Sequence, residues 1–205
     1  MRGSRILRRV AVVGGLMLLA ACVRSAPAEV SQGPVESTKN LPAMRWDHRP
    51  EAASWTRASL RALDGPASAL PRLIPADIDA YCPAYRHASL TDRKAFWAGL
   101  FSALAKHEST WNPGAVGGGG RVYGLVQIMP ATARRYGCLA RQRSALKDGA
   151  QNLACGLRIA ATTVARDGVI SRGGRGVAAD WTPFRFRAKR NDIAAWTSTQ
   201  SYCSA

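Results

Sequence analysis

Glu108 stands where acid chemistry is possible. It lies four residues after Leu104, at the end of a stripe formed by Trp97, Leu100, Phe101 and Leu104, a spacing that a helix gathers onto one face. A carboxyl held there loses hydration. Desolvation favours its protonated form and makes a general acid available near neutral pH. Glu108 is also isolated, being the only glutamate after Glu51, with no aspartate between Asp92 and Asp148. Acid–base chemistry that divides the work between two carboxylates needs a second acid. Here a second one would have to be delivered by folding, from Asp148, Asp167, Asp180 or Asp192. His107 is adjacent but about 100° round the helix, which makes it a packing or surface residue rather than a partner. His48 and His87 have no partner near them in sequence.

Other chemistry is less well supported. Gly117–Gly120 form a four-glycine loop, but no Gly-Lys-Ser/Thr follows, so a nucleotide-phosphate loop is excluded. Apart from Cys22 there are four cysteines, Cys82, Cys138, Cys155 and Cys203. No Cys-x-x-Cys or His-x-x-x-His spacing supports zinc, and neither a metal nor a cofactor is expected. An even number suits two disulfides in an oxidising compartment. Three pairings are possible. Cys138–Cys155, tying a short loop to the following helix, and Cys82–Cys203, stapling the two ends of the domain, are the expected ones.

The elements that must position these residues are helical. The pattern predicts helices over about Pro50–Leu63, from Thr91 or Asp92 to Ser109 with Thr91 as N-cap, over Pro130–Tyr136, over Asp148–Arg166, and a short one around Asp192–Trp196. A further helical piece is expected near Ala76–Tyr81. No strand alternation and no internal repeat is visible. Ser171–Lys189 reads as irregular and basic, with Trp181 and Phe184 interleaved. Trp181 and Trp196 suit sugar stacking or the core equally.

Taken together, Glu108-Ser109-x-Trp111-Asn112-Pro113 and Gly124-Leu125-Val126-Gln127-Ile128-Met129-Pro130-Ala131-Thr132-Ala133 resemble the soluble lytic transglycosylase family of peptidoglycan-cleaving enzymes. Asn152-Leu153-x-x-Gly156 looks like that family's third motif. The resemblance covers about residues 95–167. It implies a mostly α, lysozyme-like fold and cleavage of the MurNAc–GlcNAc β-1,4 bond. It further implies Glu108 as catalytic acid and base, with Ser109, Gln127, Met129 and Asn152 contacting substrate. A one-carboxylate reaction fits the isolation of Glu108 and would leave a 1,6-anhydro-MurNAc end. Two departures stand out. Glycines fill the loop where many members carry a serine, and Gly176–Trp181 replaces the family's Ala-Tyr-Asn-Ala-Gly motif, whose tyrosine supports the glutamate. Tyr123 is another source of a hydroxyl. The alternatives are a hydrolytic muramidase and a catalytically weak peptidoglycan-binding lipoprotein.

The N-terminus reads as targeting rather than fold. Arg2, Arg5, Arg8 and Arg9 precede an apolar run, Val10–Ala21, too short to span a bilayer. Leu19-Ala20-Ala21-Cys22 resembles a bacterial lipoprotein signal, which implies lipidation of Cys22, a membrane anchor there and a periplasm-facing, outer-membrane location. Residues 22–45, rich in Ser, Pro, Gln and Glu, read as a tether, and 46–205 as the transglycosylase domain. The whole chain carries 29 basic and 13 acidic residues, a net charge of +16. Removal of residues 1–21 takes away four arginines and no acid, leaving +12. Such a charge suits a polyanionic partner, and export makes that partner the peptidoglycan or a lipid surface rather than nucleic acid.

Overall fold

The computed structural model describes residues 41–204. The expected signal segment, Cys22 and most of the tether lie outside the described residues. The packed chain begins before Trp46. Met44 is buried, and the Arg45 guanidinium donates to both carboxylate oxygens of Asp192, at 2.6 and 2.9 Å. Residues 44 and 45, expected in the tether, therefore belong to the domain.

Helix α2, Leu90–Ser109, is the axis of the fold. Its N-cap is Ser89 rather than Thr91: the Ser89 hydroxyl accepts the Asp92 amide at 3.1 Å and donates to the Asp92 carboxylate at 2.6 Å. This reciprocal pair, three residues apart, is available to Ser89 and not to Thr91. Every residue from Ala95 to Ala105 is buried. The apolar stripe is thus part of a helix enclosed on all sides. Helices α1 (Ala52–Asp64), α5 (Gly149–Asp167) and α6 (Arg187–Ser198) pack around it, and α1 also runs against α5.

The sequence expectations hold for α1, α5 and α3 (Pro130–Arg135) within two residues at each end. The piece near Ala76–Tyr81 is a single 3-10 turn, Ile78–Ala80. Helix α6 is longer than expected, because its first turn is basic and carries no apolar signal. Ser171–Lys189 contains three 3-10 turns, Arg172–Gly174, Gly176–Ala179 and Thr182–Arg185, before α6 begins at Arg187. Both expected disulfides are present, Cys82–Cys203 and Cys138–Cys155.

Contrary to the expectation of no strand, β1 (Val116–Gly117) and β2 (Val122–Tyr123) pair as an antiparallel hairpin. Strands of two residues are too short to show alternation. Three of the four glycines supply its turn: Gly118, Gly119 and Gly120 all have positive φ, where a side chain would be strained.

Candidate functional site

Glu108 occupies the last turn of α2, where the enclosed part of the helix gives way to half-buried residues. Burial pushes its carboxyl up to about 7, with Lys189 of α6 pulling the other way. Among the described residues no group hydrogen-bonds to this carboxylate. The chain leaves α2 through Thr110 and Trp111, both with positive φ (52° and 55°). Neither is glycine, so both conformations are strained and held by their surroundings. The Trp111 indole donates to the Ser102 carbonyl at 2.9 Å and meets His48 edge to face at 4.6 Å.

Facing the end of α2 is the segment Leu125–Gln127. The Ser109 hydroxyl donates to the Leu125 carbonyl at 2.8 Å, and the Trp181 indole donates to the Val126 carbonyl at 2.7 Å. From α5, Asn152 completes the clamp: its side-chain oxygen accepts the Val126 amide at 2.9 Å, and its NH₂ donates to Tyr123 and Leu146 at 3.0 Å each. Leu146 ends the short helix α4, Arg143–Leu146. Gly124 is required beside it, because its φ is +82° and a Cβ there would collide with the Leu146 carbonyl and the Asn152 amide. Gln127, with φ of +47°, donates its side-chain NH₂ to Gly124 at 2.8 Å.

The expected substrate contacts therefore divide. Gln127 and Met129 line a cavity of about 220 Å³ together with Val122, Ile159, Asp180 and Trp181. Met129 is 44% exposed although it is apolar. Asn152 corrects the expectation: it is fully buried and its polar atoms are satisfied within the protein, so it positions the loop and does not reach a ligand. Ser109 likewise spends its hydroxyl on Leu125. The Tyr123 hydroxyl is taken by the Gly120 carbonyl.

Each aspartate that might have supplied a second carboxylate has a partner. Asp148 caps α5 by accepting the Gln151 amide at 2.9 Å. Asp167 accepts from Arg166 and from the Gly176 amide, both at 2.7 Å, and these bonds hold its pKa down at about 2. Asp180 accepts from Tyr136 at 3.2 Å. Asp192 gathers Arg45, Lys106 and His107, and the Arg45 bonds above all hold it well below the usual carboxylate range. His107 is thus a partner of Asp192, at 2.7 Å, not of Glu108. Trp181 and Asp180 both border the cavity that Gln127 and Met129 line, without being marked for it in the sequence. Neither has a spacing signal, since both arrive from irregular chain. Among the described residues no three His, Cys, Asp or Glu side chains come together as a metal-binding group.

A mostly helical domain with a glutamate at the end of its buried central helix and a small hairpin beside it is lysozyme-like. The transglycosylase SLT domain matches residues 88–166. Solved structures of Bd0314 DslA are similar over most of the chain. A glutamate-to-glutamine mutant is 30% identical with a TM-score of 0.71, covering 80% of this chain and 98% of that one. A second such mutant and a wild-type form are each 29% identical at the same TM-score, covering 78% and 80% of this chain and 97% and 98% of theirs. No curated protein matches. The chain belongs to the transglycosylase SLT family, whose substrate is peptidoglycan. The glutamates replaced in the two DslA mutants stand 11 residues apart. No two glutamates of this chain have that spacing.

Proposed function

We propose that this protein is a lytic transglycosylase that cleaves the MurNAc–GlcNAc β-1,4 bond with Glu108 as its only catalytic carboxyl. The observation that carries the reading is the state of Glu108, half-buried, without a hydrogen bond among the described residues and pushed up to about 7, while Asp148, Asp167 and Asp192 are engaged elsewhere and Asp180 accepts from Tyr136. A carboxyl with that pKa is substantially protonated at neutral pH and can donate. Its proton goes to the glycosidic oxygen as the C1–O bond breaks, and the substrate's own N-acetyl group stabilises the positive charge at C1. The carboxylate then takes the proton of the MurNAc O6 hydroxyl as O6 bonds to C1. The result is a 1,6-anhydro end, no water consumed and Glu108 reprotonated. Gln127, Met129 and Trp181 border the glycan in this scheme.

The test is the mass of sugars released from purified sacculi. After borohydride treatment, anhydro products are about 20 mass units lighter than hydrolysis products, the difference being one water and two hydrogens. Asp→Asn changes at 148, 167, 180 and 192 are expected to leave turnover within about tenfold, because no second carboxylate is required. A hydrolytic muramidase would release reducible MurNAc ends, and its second carboxylate would be Asp180, the one aspartate lining the cavity with Gln127 and Met129. Wall binding with no product at all would identify a catalytically weak wall-binding protein.

The sequence also supports lipidation at Cys22 and an outer-membrane, periplasm-facing location, from Leu-Ala-Ala-Cys after an arginine-flanked apolar run. One thioether-linked diacyl unit carries the two chains that stable anchoring needs. Fractionation with Cys22→Ala tests this: the wild type stays with the membrane, and the variant is uncleaved or released from its anchor.

A further inference from the structure

The second side of the hairpin holds a larger and differently charged cavity. It measures about 510 Å³, within the range that encloses a small ligand, and shares Met129 with the cleft described above. Four arginines line it: Arg121 from the hairpin, Arg134 from α3, and Arg141 and Arg143 at the approach to α4. Among the described residues no acidic side chain lines it. From Ser109 to Lys147 the chain carries six basic residues and no acid.

None of the four guanidinium groups is in an ion pair with a described carboxylate. Arg121 and Arg141 each commit only Nε, to the carbonyls of Gly118 and Cys138 at 2.8 and 2.6 Å. Arg134 has one weak bond, to the Arg141 carbonyl at 3.4 Å. Arg143 lies over the Tyr123 ring, 5.8 Å from its centroid. A guanidinium has five N–H donors, so most of this donor capacity faces the cavity or water. Four like charges around one concavity repel one another, and an anionic occupant relieves that repulsion. The planar fork of each group matches a carboxylate with two parallel bonds.

We infer that this cavity binds the peptide stem of peptidoglycan through its free carboxylates, making the protein a reader of stem-bearing glycan. The inference rests on the proposed glycan-cleaving function. A sugar strand passing Met129 carries its stems on alternate residues, and a stem leaving the cleft at Met129 meets the arginines directly. A flat basic face would suit a membrane surface; a concavity that shares a wall with the glycan cleft suits a short peptide.

The test is binding of a free stem tetrapeptide with its carboxylates intact, followed by NMR titration of the folded domain. Wild type is expected to bind it with an affinity that falls as salt rises. The same peptide with its carboxylates amidated should bind at least about tenfold more weakly, as should Arg134→Gln/Arg143→Gln towards the free acid. An unchanged melting temperature of the double variant keeps the comparison fair. Equal binding of acid and amide, or of wild type and double variant, overturns the inference. So does displacement of the peptide by an equal concentration of inorganic phosphate, which would make the cavity a general anion site. Because the readout needs no turnover, a protein that binds stems and cleaves nothing would refute the proposed activity and leave this site standing.

Discussion

The Ser109 hydroxyl donates to the Leu125 carbonyl at 2.8 Å, so the residue after Glu108 is fastened to the segment that carries Gln127. Asn152 and Trp181 hold that segment from its other sides, at the Val126 amide and carbonyl. Acid and cleft wall are thereby fixed relative to each other by three side chains from three different elements. Placement to a fraction of an ångström is what such a shell supplies to a reacting group.

Removing a member of this shell is expected to act on positioning. Asn152→Ala strands the buried Val126 amide and the Leu146 carbonyl, leaves the Tyr123 carbonyl with the Ile128 amide alone, and should cost roughly 2–4 kcal/mol of stability. Ser109→Ala loses one half-buried bond and should cost about 1 kcal/mol. In both variants kcat should fall more than KM rises, measured on soluble muropeptide chains. A selective rise in KM for Ser109→Ala would show instead that its hydroxyl contacts the sugar.

Glu108→Gln should lower turnover by roughly 10²–10⁴-fold or more, since the titrating proton is lost while shape is kept. It should also stabilise the fold, with a definite pH dependence. The folded carboxyl titrates at about 7 against a usual 4.5, so ionising it in the folded state is costly. The penalty is absent below about pH 4.5, grows as pH rises through 7 and is constant above. Urea unfolding should therefore give equal stabilities near pH 4 and an advantage for the variant of roughly 1–3 kcal/mol near pH 8. Equal stabilities at both pH values would contradict the burial argument.

The residues legible in the sequence were those whose signal is local. Glu108 was marked by its place on a helical stripe and by the scarcity of other acids, and the disulfide pairs by chain position. Gln127 and Met129 came from the motif resemblance. Asn152 belongs to a motif that implies substrate contact, and a motif does not say whether a side chain points into a cleft or into the core. Trp181, Asp180 and Lys189 come from irregular or helix-start chain, where no periodicity reports which way a residue faces. Asp192 is similar: its three cationic partners sit at positions 45, 106 and 107, and only folding brings them together.

The two disulfides should contribute unequally. Cys138–Cys155 closes 17 residues and Cys82–Cys203 closes 121, so the chain-entropy model gives about 3 kcal/mol for the first and more for the second. Double alanine replacement of each pair, followed by urea unfolding, should show that order within a range of about 2–5 kcal/mol. Loss of Cys82–Cys203 should also free the 3-10 turn Ser201–Cys203 from α2, seen as faster amide exchange in that turn.

Lys189 opposes the effect of burial on Glu108. It is the cation whose charge pulls Glu108 downward against burial, so Lys189→Gln should let the carboxyl rise further. In the proposed mechanism turnover requires the protonated acid, and the alkaline limb of kcat/KM then follows its loss of a proton in the free enzyme. That limb should therefore lie at higher pH in the variant, and above it the variant should outpace wild type by up to about threefold. Added salt screens Lys189 in the same sense. Raising ionic strength should move the wild-type limb upward towards that of the variant, while the limb of the variant stays nearly still. The measurement is a pair of pH profiles at low and high salt on a peptide-free MurNAc–GlcNAc glycan with its lactyl groups amidated, which avoids the separate effect of salt on stem binding. A wild-type limb that moves downward with salt, or a variant limb below that of wild type, would show that Lys189 does not act on Glu108 through its charge.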